Sequence, residues 1–258
     1  MYMNKILCFI VAVAVFSSCA KTYNVQGSSS ISALDGSKLY LKSIRSGEIK
    51  AIDSCDVVHG EFHFAGTLDT ICMANLYIGE EGIMPVILEE GDIVVKIDNA
   101  MQRVGGTPMN DSLYKFIDRH SQLVNRMAEL SHRQSQMLLD GIDEDEIDRL
   151  LNQEAVEITA EEDQLVTKFI VNNFDNVLGP GIFMMVTSQY RYPILTPQIE
   201  DIMSKATQKF KNDPYVSDYY QTAQENEARM SGLDEIAEPQ EEEKLSLPAA
   251  PLTNVPQQ

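Results

Sequence analysis

A chain of 258 residues with 44% apolar side chains is long enough to build one or two domains with real cores, which excludes general disorder. Its formal net charge of -19, from 39 Asp and Glu against 20 Lys and Arg, comes without a basic patch. That excludes nucleic acid as a partner, and also adhesion to anionic lipid heads by charge alone, because both need clustered cations.

At the N-terminus Lys5 precedes an uninterrupted apolar run over residues 6–16, which ends in Phe16-Ser17-Ser18-Cys19. The run is too short to span a bilayer, which takes about 20 apolar residues. Small residues before a cysteine stand where a secretory signal is cut. The pattern resembles a bacterial lipobox. Residues 1–18 are therefore expected to be a lipoprotein signal peptide and Cys19 the lipidation site, its thiol diacylated and its freed amine acylated by palmitate-type chains. Two or more chains anchor stably where one holds only marginally. The expected partner is a membrane reached through this lipid, with residues 19–23 as linker. Ala20 and Lys21 form no acidic run of the surface-export kind, so the periplasmic side of the outer membrane is the expected location.

Cys8 leaves with the signal, so Cys55 and Cys72 are the cysteines left in an oxidising compartment. They are candidates for one disulfide or for two buried thiols, and both fall on core-facing strand positions. They do not form a CxxC dithiol.

From Tyr23 to about Val104 apolar residues fall in short runs divided by turn residues, as β-strands do. The runs place strands at 24–30, 38–45, 49–58, 61–66, 71–78, 83–88 and 92–98. His59-Gly60 predicts a tight hairpin, with Gly60 at positive φ. Glu90-Gly91-Asp92 predicts a second hairpin, between 86–88 and 93–97. About seven short strands over residues 24–104 make a small antiparallel β-sandwich.

Gly105-Gly106-Thr107-Pro108 breaks the strand pattern and opens a helix. Leu113, Phe116, Ile117, His120, Leu123, Val124, Met127 and Leu130 then recur at three- and four-residue intervals, as one helical stripe. Asp140-Gly141 interrupts, and a second stripe runs from Ile147 through Leu151, Ile158 and Leu165 to Ile170. Neither stripe can be buried alone, so a long antiparallel helical hairpin is expected, its stripes facing each other or a partner. Gly179-Pro180-Gly181 is expected to stop this arm. Shorter helices follow at 181–190, 197–210 and 214–230, with Thr196 and Asp213 as caps before Pro197 and Pro214. The fold class is thus α+β, a sandwich followed by an all-helical region over 105–232. Residues 233–258, acidic and then proline-punctuated, read as a disordered tail.

The stretch Ile52-Asp53-Ser54-Cys55-Asp56-Val57-Val58-His59-Gly60-Glu61-Phe62-His63-Phe64-Ala65-Gly66 resembles the core of the domain of unknown function 4369, with an Asp-Ser pair, a Gly turn and then Phe-x-Phe-x-Gly. Leu76-Tyr77-Ile78, residues 86–92 and residues 106–111 are similar to its remaining strands and its exit into helices. The resemblance covers about residues 22–115, and more loosely the helices to about 230. It implies a Bacteroidota-type envelope lipoprotein, of a kind often fused to a thioredoxin-like domain carrying CxxC. Here the acidic tail stands where that domain would begin.

No catalytic, cofactor or metal set is named by the sequence. His59 and His63 flank a turn, and His120 and His132 are too far apart on one helix to share an ion. Residues 140–146 lack the alternating oxygen ligands of a calcium loop, and read instead as acids at a helix start. Neither a Gly-x-Ser-x-Gly elbow nor a phosphate loop is present. Phe183, Met184, Met185, Tyr190 and Tyr192 are read as core first and as a groove lining second. The expected role is non-catalytic binding or scaffolding, with the helical arm as the surface for a protein partner or for self-association. An accessory role in thiol-disulfide chemistry, and an enzyme with an unrecognised site, are the alternatives.

Overall fold

The computed structural model describes residues 21–45, 48–99 and 101–232. The signal segment, Cys19 and the tail from 233 lie outside the described residues. Eight strands form two four-stranded sheets: β1 (Lys21–Ser29), β2 (Lys38–Arg45), β3 (Glu48–Asp56), β4 (Glu61–Leu68), β5 (Cys72–Ile78), β6 (Glu81–Leu88), β7 (Gly91–Ile97) and β8 (Gln102–Gly105). The strand orders are β4-β1-β7-β8 and β3-β2-β5-β6. Alternation puts Val25, Phe64, Ile93 and Val95 of one sheet against Leu39, Leu41, Leu76 and Val86 of the other, all buried.

Seven strands stand where the apolar runs put them, and β1 starts three residues earlier, taking up the last residues expected to be linker. The eighth, β8, has four residues of which only Val104 is buried, too few to show alternation. Not every pair is antiparallel. β1 and β7 run parallel, Tyr23 opposite Gly91, because the chain between them passes through the other sheet.

The His59-Gly60 turn forms, with φ of 55° and 75° and the bridge Val58↔Glu61 closing it, but the strands of the expected hairpin do not pair beyond that bridge. The turn joins β3, at the edge of one sheet, to β4, at the edge of the other, and so makes a corner of the sandwich. The second expected hairpin does not form. Glu90 connects β6 to β7, which lie in different sheets, because β7 pairs with β1 and β8 instead.

The family-like Gly66 has a packing reason. It lies opposite Tyr23, whose ring atoms would stand 2.7–2.9 Å from any added Cβ.

Six helices follow: α1 (Pro108–Leu139), α2 (Glu144–Asn172), α3 (Leu178–Thr187), α4 (Pro197–Lys205), α5 (Gln208–Lys211) and α6 (Pro214–Met230). The predicted caps form. Thr196 Oγ1 accepts from the Ile199 N–H at 3.2 Å, and Asp213 Oδ1 from those of Tyr215 and Val216 at 3.0 and 3.3 Å. Gly179-Pro180-Gly181 does not stop the arm. α2 ends at Asn172, and the three residues sit in the first turn of α3, where a proline lacks no needed N–H. Gly181 lets α3 lie close on β5, since a Cβ there would meet Met73 Sδ at 2.3 Å.

The sandwich and the base of the helical region share one continuous core, from Tyr23 to Ala223. The outer half of the α1/α2 hairpin has its own, built on Leu123, Leu130, Ile147, Leu151 and Ile158.

Candidate functional site

The start of α1 is fixed to the sandwich by polar side chains buried in the joint. Asn110, fully buried, accepts from the Ile87 N–H at 2.9 Å and donates to the Ile87 carbonyl at 2.8 Å. Tyr114 donates to the Pro85 carbonyl at 2.9 Å. Together they satisfy the outward backbone groups of edge strand β6, which would otherwise be open to another chain. Burial holds the Tyr114 hydroxyl well above its ordinary pKa. Glu89, also buried, caps the helix from outside its own sequence by accepting from the Met109 and Asn110 N–H groups at 2.9 and 3.2 Å. A carboxylate there complements the helix dipole.

These contacts fix the direction of the arm. Gly106 lies close against the Asp92 carbonyl at the start of β7, and Gly91 opposite Tyr23, so α1 starts at the end of the sandwich where β1 starts. Along α1 its partners then move from Ile87 to Pro85, and on β8 Arg103 reaches Asp118 at 2.8 Å. The helix therefore runs toward the opposite end. Its 32 residues span about 48 Å at 1.5 Å per residue, whereas nine-residue β1 spans roughly 30 Å. The hairpin must project past the sandwich.

Ion pairs hold the two helices in antiparallel register: Arg119 and Arg126 with Glu161, Arg133 with Glu154, and His120 with Glu162 at 2.9 Å. The hydrogen bond from Arg126, with help from Arg119, keeps the Glu161 carboxyl below the usual carboxylate range. Not every apolar residue of the arm is used in this pairing. Leu139 is 83% and Val156 69% exposed, and Val124, Leu138, Ile142 and Leu150 are exposed as well. Around the tip stand Asp140, Asp143, Glu144, Asp145 and Glu146, all exposed. Asp143 caps α2 and Glu144, Asp145 and Glu146 fill its first turn, as expected of a helix start, while Asp140 ends α1.

A cleft of about 660 Å³ lies between the outer face of β2 and β5 and the helices α3 and α6, within the size range of small-molecule sites. Ile44, Met73, Val177, Met184 and Tyr215 give it an apolar body. Its polar lining includes Ser43, Asn75, Asp213 and Asp218, with no Lys, Arg or His among the described lining residues. Ser43 is 2% exposed, and its hydroxyl has no hydrogen-bond partner among the described residues.

The aromatic and methionine cluster singled out in the sequence divides. Phe183 is core, edge-on to Phe210, Tyr215 and Tyr219; Met185 packs partly against the core; Met184 lines the cleft; Tyr190 and Tyr192 are exposed.

Cys55 and Cys72 do not form the candidate disulfide. They lie on β3 and β5 with β2 between them. Leu39 is the level of Cys55, whereas Cys72, six residues before Ile78, lies beyond the other end of the β2 pairing. That is a separation of roughly 20 Å along the strands, far outside the reach of an S–S bond. Both pack partly buried against the core, and burial pushes the Cys55 thiol up, away from the reactive thiolate. His63 pairs with Asn24 at 2.6 Å and His59 holds the corner turn. Among the described residues no three His, Cys, Asp or Glu side chains converge as metal ligands. The acid that burial and neighbouring Glu162 raise, Asp163, sits on α2 and not among the cleft residues. No helix among the described residues is long and apolar enough to cross a membrane.

No curated protein matches the chain. Residues 23–113, the sandwich and the first turn of α1 with its Asn110 joint, match the model of a family described as a domain of unknown function (DUF4369).

Proposed function

We propose that the chain is a lipid-anchored binding module of the cell envelope, tethered through Cys19 on the periplasmic side of the outer membrane, without catalysis of its own, and that the α1/α2 arm receives a protein partner. The supporting observation is the polarity of the arm. It leaves the sandwich at the end where β1 starts at Lys21 and overshoots the opposite end. An anchor on Cys19, two residues before β1, then leaves the arm pointing into the compartment, and its exposed Leu139 and Val156 are surfaces that a partner covers. The acids around the tip disfavour a second copy there by like-charge repulsion and favour a partner with basic groups around an apolar patch.

The test has two arms. Cys19→Ser is expected to move the chain from the membrane to the soluble fraction and to remove the acyl mass. A photo-crosslinking residue at Leu139 or Val156 is expected to trap one partner in cells, at a mass other than twice the chain. The same residue at exposed Thr67 traps nothing, and Asp143→Lys weakens the trapping. A mature chain that starts elsewhere and carries no acyl group would sink the anchoring; crosslinks equal at all three positions would sink the arm.

A further inference from the structure

We propose that the cleft between β2/β5 and α3/α6 is a binding site for a free small amphipathic molecule with an apolar body and a protonated amine. The site is distinct from the arm surface. Two independent observations meet in it. Its body is apolar, with Met73 and Met184 facing it from sheet and helix, and methionine adapts to irregular alkyl or aromatic shapes. Among the described residues its charge has one sign, since Asp213 and Asp218 line it and no described lining residue is a cation. A ligand with an anionic head meets two carboxylates there, and a ligand with an ammonium head meets its complement.

The walls are also held in place. Asp213 caps α6 through Oδ1, the Tyr215 hydroxyl is hydrogen-bonded to Thr187 at 3.0 Å, and Gly181 seats α3 against Met73. The cleft is thus largely formed before a ligand arrives, which lowers the ordering penalty of binding.

The probes are octylamine, octanoate and octanol, which share one alkyl chain and differ in head charge. They are titrated calorimetrically into the purified full chain carrying Cys19→Ser, which has no thiol at 19 to acylate. Octylamine is expected to bind saturably at one site, at least tenfold more tightly than octanoate, with octanol between them. Asp218→Asn, at an exposed position, is expected to reduce amine affinity at least threefold and leave octanol unchanged. Ile44→Asn, in the apolar wall, is expected to weaken octylamine and octanol alike while the thermal unfolding midpoint stays within a few degrees. Equal affinity for octylamine and octanoate overturns the proposal, as does an Asp218→Asn variant that binds the amine as tightly as the parent.

Discussion

The sandwich and the outer arm reach stability by opposite routes. In the sandwich the consecutive pairs β2/β3, β5/β6 and β7/β8 are joined into sheets by remote pairings: β1 takes β4 and β7 as neighbours, with Val25 opposite both Phe64 and Ile93. Loss of any part withdraws support from the rest. The outer arm is held by five buried side chains and a ladder of exposed ion pairs between two helices that are consecutive in the chain. Its contacts can open without disturbing the sandwich core, which is what a segment that must adapt to a partner requires.

The sharpest way to break that contrast is a matched pair of core truncations. Phe64→Ala removes a 1% exposed ring that packs edge-on to Phe62, and is expected to cost about 3–5 kcal/mol, lowering hydrogen-exchange protection in both regions. Ile158→Ala, fully buried in the arm, is expected to cost about 2–5 kcal/mol of arm stability alone. Amides of residues 123–158 should then exchange faster while those of β1 and β7 stay as they were. Equal loss in both regions would merge the two units into one.

The joint between them is the next test. Asn110→Ala strips the Ile87 N–H and carbonyl of their partner at a buried edge, with an expected loss of roughly 2–4 kcal/mol. Denaturation by urea should show the lower midpoint, and fraying should be confined to β6 and the first turns of α1. A midpoint unchanged from the parent would mean that α1 is seated by its apolar residues alone.

Alkaline pH addresses the sandwich through Tyr23. Burial, then the Asp53 carboxylate that the Tyr23 hydroxyl faces at 3.4 Å, pushes that hydroxyl up from 10.0 to about 12. A raised value means that the folded state holds the neutral phenol while the unfolded chain ionises near pH 10. The stabilisation is present in full below pH 10 and is lost as the pH climbs toward about 12. Tyr23→Phe should sit within about 1 kcal/mol of the parent at neutral pH and decline less steeply above pH 10. Parallel pH profiles for the two proteins would remove Tyr23 from the account.

What could be read from the sequence follows the range of the interactions involved. Seven strands, the turn at His59-Gly60, the caps at Thr196 and Asp213 and the helical hairpin all depend on neighbours within a few residues, and all were legible. Sheet membership was not, because nothing within Glu90-Gly91-Asp92 records that β7 will pair with β1 some seventy residues earlier. Nothing local sets Glu89 apart from other acids, since its role as the cap of α1 exists only once β6 meets Met109. The cleft was half visible: Met184 stood out in a cluster that otherwise divides between core and exposed surface, whereas Ser43 and Asp218 carry no local signal and are joined to it by tertiary packing. The separation of Cys55 from Cys72 likewise needs the strand register.

The smallest effect expected belongs to the ion-pair ladder, and its size is what distinguishes the arm from the sandwich. Glu161 is exposed, and its bonds to Arg126 and Arg119 are screened by water and salt. Because those bonds lower its pKa, the stabilisation is present above the ordinary carboxylate range and is lost as the pH falls through the lowered value. Glu161→Gln should speed amide exchange in the arm slightly at low ionic strength and leave the sandwich untouched. At high salt, parent and variant should become indistinguishable. A difference that survived high salt would mean that the pair acts through fixed geometry instead of charge, and the arm would then be a rigid strut with little freedom to adapt to what it binds.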